Sequence, residues 1–356
     1  MAFRTPISVP DLSISAQLNR FPTSRYMGSK QAILPFLYDV LSNLEFTSAL
    51  DAFSGSGVVS YLLKAMGKSV TSNDFLTFCY HTAQACIVNS EERLTPEGAV
   101  HLLTSHPSPQ DFVETNFAGL YFTDEENRLL DNLTANIRAM TSPLQQSIAY
   151  AALARACFRR RPRGLFTYTG IRYEDGRRDL AISLEQHFQD AVALFDAAVF
   201  DNGHAHQAFN QNVFTLPDAH YDLVYIDTPY VSPHSDNDYT RRYHFVEGLV
   251  RYWEGLEILH TTTTKKFRRL PSLFDSKRTV REGFEQLFER YQDSILVVSY
   301  SSSGIPSKEE MIAMLEKVKP GRVEVYEQAH LYSHGTHGHK VGDNKNRVFE
   351  YLFVGR

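Results

Sequence analysis

Cysteine is scarce. The chain has 356 residues and three cysteines, Cys79, Cys86 and Cys157, too few and too scattered for a disulfide framework or a thiolate metal site, which fits a reducing compartment. Long apolar runs are lacking too. No stretch approaches the roughly 20 residues that a membrane span requires, so no membrane is expected as a partner. The opening "MAFRTPISVPDLSISAQLNRFPTSRYMGSK" has neither the continuous apolar core nor the small-residue cleavage site of a signal peptide, and the cytoplasm is the expected location. Nor is positive charge in excess. Lysine and arginine number 36 against 41 acidic residues, a net charge of −5, and nothing global advertises a nucleic-acid partner. Internal repeats and low-complexity tracts are missing, which excludes solenoids and repeat arrays.

What is present is an ordinary globular composition, 43% hydrophobic and 22% charged, with enough chain for one large domain or two smaller ones. The basic residues are clustered: "RRRPRG" at 159–164, "RYEDGRR" ending at Arg178, "TRRYH" with Arg241 and Arg242, and "TKKFRR" at 264–269. One cluster alone is a solvated surface; four in an acidic chain point to a localised electropositive face, the footprint of a polyanion.

Short apolar strands alternate with helical stretches, the pattern of a parallel sheet covered by helices. "SALDAF" (48–53), "KSVTSND" (68–74), "YDLVYID" (221–227) and "SILVVSY" (294–300) read as its strands. "RVEVYEQA" and "RVFEYLFVG" read as a C-terminal antiparallel pair joined by a Gly/His-rich loop. Between Asp74 and Asp227 the periodicity is mainly helical, over a length too great for a simple crossover. The expected division is a catalytic part, residues 22–90 and 205–356, and a helical insert, residues 91–204, that recognises the target.

"DAFSGSG", with Asp51, Phe53, Gly55 and Gly57, sits after a strand and before a helix. Glycines there let the backbone approach a ligand, and the helix N-terminus adds favourable dipoles. Asp74 ends the next strand, about 20 residues on, where an acid meets ribose hydroxyls. The third glycine of the dinucleotide fingerprint is missing, which favours a cofactor with a single nucleoside. Upstream, "RYMGSK" is a helix start; read functionally, it places Lys30 near a carboxylate and Tyr26 against an apolar part of the ligand.

"YIDTPYVSP" (225–233) closes the set. In this order "RYMGSK", "DAFSGSG", "ND" and "DTPY" resemble the Dam-like alpha group of S-adenosylmethionine-dependent DNA adenine-N6 methyltransferases. The resemblance implies an α/β, Rossmann-like methyltransferase with a mixed seven-stranded sheet, an antiparallel C-terminal hairpin and the helical insert. It implies S-adenosylmethionine as cofactor and double-stranded DNA as substrate, with a cognate restriction endonuclease as a further partner. Asp227 and the carbonyl of Thr228 would accept the two N–H groups of adenine N6, Pro229 would hold residue 228 extended, and Tyr230 would stack on the flipped base. Threonine replaces the commoner proline at 228, a change that a backbone acceptor tolerates. Methylation of RNA adenine or of cytosine N4, or a non-catalytic DNA-binding relative, are the alternatives.

Further expectations are looser. Asn212 in "NQNVF" lies where the group meets the cofactor's adenine, although asparagine also suits a plain turn. Tyr243 and Phe245 of "YHFVEG" would border the pocket. Arg159, Arg160, Arg161 and Arg163 would contact phosphates or base edges, with 265–269 as the fallback surface. His334, His337 and His339 form a hairpin loop that touches DNA and not a metal site, since no cysteine or carboxylate stands at ligand spacing.

Overall fold

The computed structural model describes residues 6–108, 110–171, 178–231, 238–333 and 345–356. Seven strands form one sheet in the order β3-β2-β1-β4-β5-β7-β6: β1 (Ser48–Asp51), β2 (Ser69–Asn73), β3 (Gln207–Phe209), β4 (Leu223–Ile226), β5 (Ile295–Ser301), β6 (Val323–Ser333) and β7 (Lys345–Gly355). The first five pair in parallel; β7 runs antiparallel to both β5 and β6. The mixed sheet and its antiparallel C-terminal pair agree with the sequence reading. The three-residue edge strand β3 is the strand that no apolar run announced.

The central strands are apolar on both faces because helices cover both. Alternation decides which core each side chain joins. In β4, Leu223 and Tyr225 enter one cluster while Val224 and Ile226 enter the other. In β5, Val297 enters the first and Leu296 and Val298 the second. β1 divides in the same way, Ala49 to one side and Leu50 to the other.

Chain order reverses between β1 and β4, so the C-terminal ends of β1, β2 and β4 open onto one crevice, where ligands of such sheets bind. The segment between β2 and β3 is helical. Its helix Asp124–Arg138 begins with a reciprocal Thr123–Glu126 capping box, carries three acids in its first turn and ends with Arg138, matching the helix dipole. The helix Pro143–Arg160 starts with Pro143 in its first turn and ends where Arg161, extended at φ −89° and ψ 138°, precedes Pro162. Side chains from Ser147 to Ala154 are all buried, so this is a central helix and not an amphipathic surface one. Phe158 at its end meets Phe78 at 5.7 Å and Tyr243 at 5.5 Å, and one apolar cluster joins these helices to the sheet. Among the described residues, no helix is long and apolar enough to cross a membrane.

Candidate active site

The glycine turn after β1 is held in a conformation that side chains resist. Gly55 has φ +50° and Gly57 φ +78°, and a Cβ on Gly55 would come within 3.0 Å of the Tyr26 ring. Gly57 caps the helix Val58–Ala65. Asp74 braces this turn: its Oδ2 accepts from the Gly55 amide at 2.7 Å and its Oδ1 from the Leu76 amide at 2.8 Å. Burial pushes the Asp74 carboxyl up to about 6, against the lowering effect of those amides. Asp51 is wholly buried; Ser60 donates to its Oδ2 at 2.6 Å, while its Oδ1 has no hydrogen-bond partner among the described residues. Burial raises it to about 7. Phe53, Asn212 and the half-exposed ring of Phe75 line the same cavity. The Asn212 oxygen accepts from the Phe214 amide at 3.1 Å, so it also serves the turn that its residue type suggested.

The other wall is the end of β4. Lys30, only 5% exposed, places Nζ 2.7 Å from each oxygen of Asp227. The same ammonium donates to the Gly28 carbonyl at 3.2 Å and sits 4.9 Å from the centroid of the Tyr230 ring. The carboxylate near Lys30 is that of Asp227, and Lys30 lines the cavity as well. Burial raises the Asp227 carboxyl and the neighbouring lysine opposes that rise. Tyr230 packs edge-on against Tyr300 at 4.8 Å, and its hydroxyl reaches Glu350 Oε2 at 3.3 Å. No described group donates to the Thr228 carbonyl. Pro229 and Tyr230 line the cavity beside Asp227.

Tyr26 joins the two walls. Its ring lies on Tyr243 with centroids 5.1 Å apart and planes 12° from parallel, while the Tyr243 hydroxyl accepts from the Met27 amide at 2.7 Å. Tyr243 is fully buried behind Tyr26, and Phe245 packs among Phe117, Phe122 and Phe166. Neither borders the cavity, which corrects that expectation; Tyr239 and Thr240 line it instead. Four residues past Tyr243, buried Glu247 accepts from the Thr77 amide at 2.7 Å. It thereby caps the helix Thr77–Ala83 that follows Asp74, and burial raises its carboxyl to about 7.

The arginine cluster divides sharply. Arg161 is fully buried, with its guanidinium donating to the carbonyls of Tyr121, Gly170, Tyr168 and Leu165 at 2.7–3.3 Å. Arg160 pairs with Glu126 at 2.5 Å and donates to the carbonyls of Leu180 and Ile182. The expectation of phosphate contacts is thus corrected for both: Arg161 is fully buried and Arg160 nearly so, and both turn their guanidinium groups to internal carbonyls and, for Arg160, a carboxylate. Arg159, 38% exposed, stands 4.0 Å from Asp179 and remains open to solvent. The Arg163 side chain and the histidines 334, 337 and 339 lie outside the described residues.

Sequence reasoning missed Phe75, Tyr239, Glu247 and Glu350. An aromatic directly after a strand-end acid was the one available signal, for Phe75; the others act across the fold and leave no local trace.

With this geometry in place, comparison with known proteins is specific. A sequence model of the D12 class N6 adenine-specific DNA methyltransferases matches residues 26–313. The chain is 31% identical over 352 residues to the type II methyltransferase M2.HphI of Haemophilus parahaemolyticus, covering 94% of this chain and 98% of that protein. It is 25% identical over 355 residues to the type II methyltransferase M.FokI of Planomicrobium okeanokoites, covering 92% and 52% respectively. With the modification methylase StsI of Streptococcus sanguinis it shares 26% over 318 residues, 82% of this chain and 46% of that one. The chain therefore spans almost all of the first relative and about half of the other two.

Proposed function

The chain belongs to the D12 class N6 adenine-specific DNA methyltransferase family, and from that premise we propose that Asp227, Thr228, Pro229 and Tyr230 receive the flipped adenine while the turn after β1 and Asp74 hold S-adenosylmethionine. The enzyme transfers a methyl group to the exocyclic N6 of adenine in DNA. That nitrogen is a poor nucleophile because its lone pair is delocalised into the ring. Two acceptors aimed at its two N–H groups favour a pyramidal nitrogen and release the pair. The Asp227 carboxylate is one, and the Thr228 carbonyl, with no competing donor among the described residues, is the other. Lys30 already places a donor on Asp227 at the bonding distance that the amine would use. It opposes the rise that burial imposes on the Asp227 carboxyl and yields its place as the base enters. Tyr230 offers its face to that base, offsetting part of the few kcal/mol that flipping costs.

The cavity suits the cofactor's chemistry. Asp51, Asp74 and Asp227 line it with one buried ammonium among them, that of Lys30. Such a site favours a ligand whose sulfonium and ammonium outnumber its single carboxylate. The orphan Oδ1 of Asp51 is an acceptor ready for an ammonium donor. Asp74 keeps lone pairs for ribose hydroxyls beyond the two amides it accepts, and Phe75 supplies an aromatic face for a purine. When bound, the cofactor supplies a methyl group already activated by its sulfonium, so positioning and exclusion of water are what the protein adds.

The helical segment 91–204 is assigned to target recognition. The type II names of the relatives support a role beside a cognate restriction endonuclease. The observation that carries the catalytic assignment is the Asp227 carboxyl at the end of β4, paired with Lys30 and lining one cavity with Tyr230 and the glycine turn. Asp227→Ala is expected to abolish formation of N6-methyladenine while cofactor affinity stays within about tenfold. Near-normal turnover in that variant would overturn the assignment.

A further inference from the structure

Two basic clusters, distant in sequence from the arginines at 159–163, meet beside the cavity. Residues 257–268 fold back on themselves. Ile258 bridges Phe267 in antiparallel fashion, the Leu259 amide donates to the Lys266 carbonyl at 2.7 Å, and the Arg268 amide donates to the Glu257 carbonyl at 2.8 Å. The loop reads His-Thr-Thr-Thr-Thr-Lys-Lys from 260 to 266, with His260, Thr261 and Thr263 exposed at its tip and Lys265 and Lys266 partly exposed on its returning arm. Its root is rigid. Phe267 is buried, and the Thr264 carbonyl lies 2.6 Å from the Tyr121 hydroxyl and 2.9 Å from His244 Nε2. His244 Nδ1 lies 2.9 Å from the Arg241 carbonyl, so one buried imidazole packs between the hairpin and the turn that holds Arg241 and Arg242.

The charges around this junction are not equivalent. Arg268 pairs with Glu257 at 2.7 Å, Arg269 with Asp275 at 3.1 Å and with Asp238 at 3.4 Å, and Arg241 with Asp238 at 3.4 Å. Lys265 and Lys266 have no ion-pair partner among the described residues. They stand on a hairpin whose continuation, Leu270 and Pro271, lines the cavity, opposite Tyr239 and Thr240, which lead into Arg241. A base extruded into the cavity keeps its own phosphates at the rim, and the hairpin leading into Leu270 and Pro271 carries two ammonium groups without an ion-pair partner among the described residues and the exposed Thr261 and Thr263, donors of the kind that phosphate contacts use.

We propose that the hairpin at 257–268 is a DNA-contacting finger, its Thr-Lys loop gripping duplex phosphates at the mouth of the adenine pocket. The inference rests on the functional reading above and deepens it by moving phosphate contact from Arg160 and Arg161 to Lys265 and Lys266. Its test uses the full-length chain and short DNA duplexes of mixed sequence. Lys265→Gln combined with Lys266→Gln should flatten the dependence of log affinity on log salt by up to about two units, roughly one per lost phosphate contact. The KM for DNA should rise, while cofactor affinity, read by calorimetry, stays unchanged. Lys265→Arg with Lys266→Arg should keep the slope. Thr261→Asp with Thr263→Asp, at exposed positions that do not threaten folding, should weaken DNA binding by repulsion. A wild type that forms N6-methyladenine, with either neutralised or acidic variant binding at the wild-type affinity and slope, overturns the finger alone. A wild type that forms no N6-methyladenine on any duplex overturns the catalytic reading, and the finger with it.

Discussion

At the scale of single residues, the arginines show how little a charge run says about its partners. Arg160 and Arg161 sit side by side in a run that reads as a polyanion contact, yet both point inward. Arg161 is a structural cation, since four carbonyls and the rings of Tyr121, Phe166 and Tyr168 surround it. Arg161→Ala would leave those buried carbonyls without donors, at a cost of roughly 3 kcal/mol or more. The expected outcome is a large drop in the denaturation midpoint, with the salt dependence of DNA binding unchanged in whatever fraction remains folded. A stable variant with a flattened salt slope would restore Arg161 to the DNA interface.

Between elements, the decisive contact is Glu247. Its carboxylate, on the helix His244–Arg251, caps the helix Thr77–Ala83 and so fixes the direction in which the chain leaves Asp74. The same helix is preceded by Tyr243, which supports Tyr26 from behind. Both walls of the cavity therefore lean on the segment that follows Asp227–Tyr230. Glu247→Ala is expected to weaken cofactor binding by about 1–2 kcal/mol, through loss of a charge-assisted cap. If that loss acts through Asp74, a double-mutant cycle with Asp74→Ala should show a coupling of about 1 kcal/mol. Additive losses, measured by calorimetry, would mean that Glu247 serves stability alone.

For the whole molecule, the buried carboxylates set a pH dependence of definite sign. Asp51 rises from 3.8 to about 7, Asp74 from 3.8 to about 6, and Glu247 from 4.5 to about 7, in each case chiefly through burial. The folded chain thus binds protons that the unfolded chain has released, so these groups make stability fall as pH rises from about 4 to about 7 and then level off. Binding of a cationic cofactor should run the other way, tightening over pH 6 to 7 as Asp51 and Asp74 ionise. Thermal melts and calorimetric titrations across that window check both trends. Asp51→Asn should lose part of each slope; slopes identical to wild type would remove Asp51 from the effect.

The local parts of this enzyme were legible because short-range geometry writes them into short stretches of chain. Apolar strands had to alternate between two cores, Gly55 and Gly57 had to be glycine at positive φ, and Asp-Thr-Pro-Tyr at a strand end carried its chemistry in four consecutive residues. From those alone the sheet could be drawn, and the glycine turn and the Asp-Thr-Pro-Tyr stretch line one cavity at its edge. Which charge meets which could not. Lys30 finds Asp227 across 197 positions of sequence, Glu247 caps a helix 170 positions away, and Lys265 and Lys266 have no ion-pair partner among the described residues while Arg268 and Arg269 pair with Glu257 and Asp275. Electrostatic partnership depends on distance and burial in three dimensions, and neither is a local property of the chain. Residue type announced that charges were present; packing alone decided which of them would hold the fold and which would stay without an ion-pair partner among the described residues.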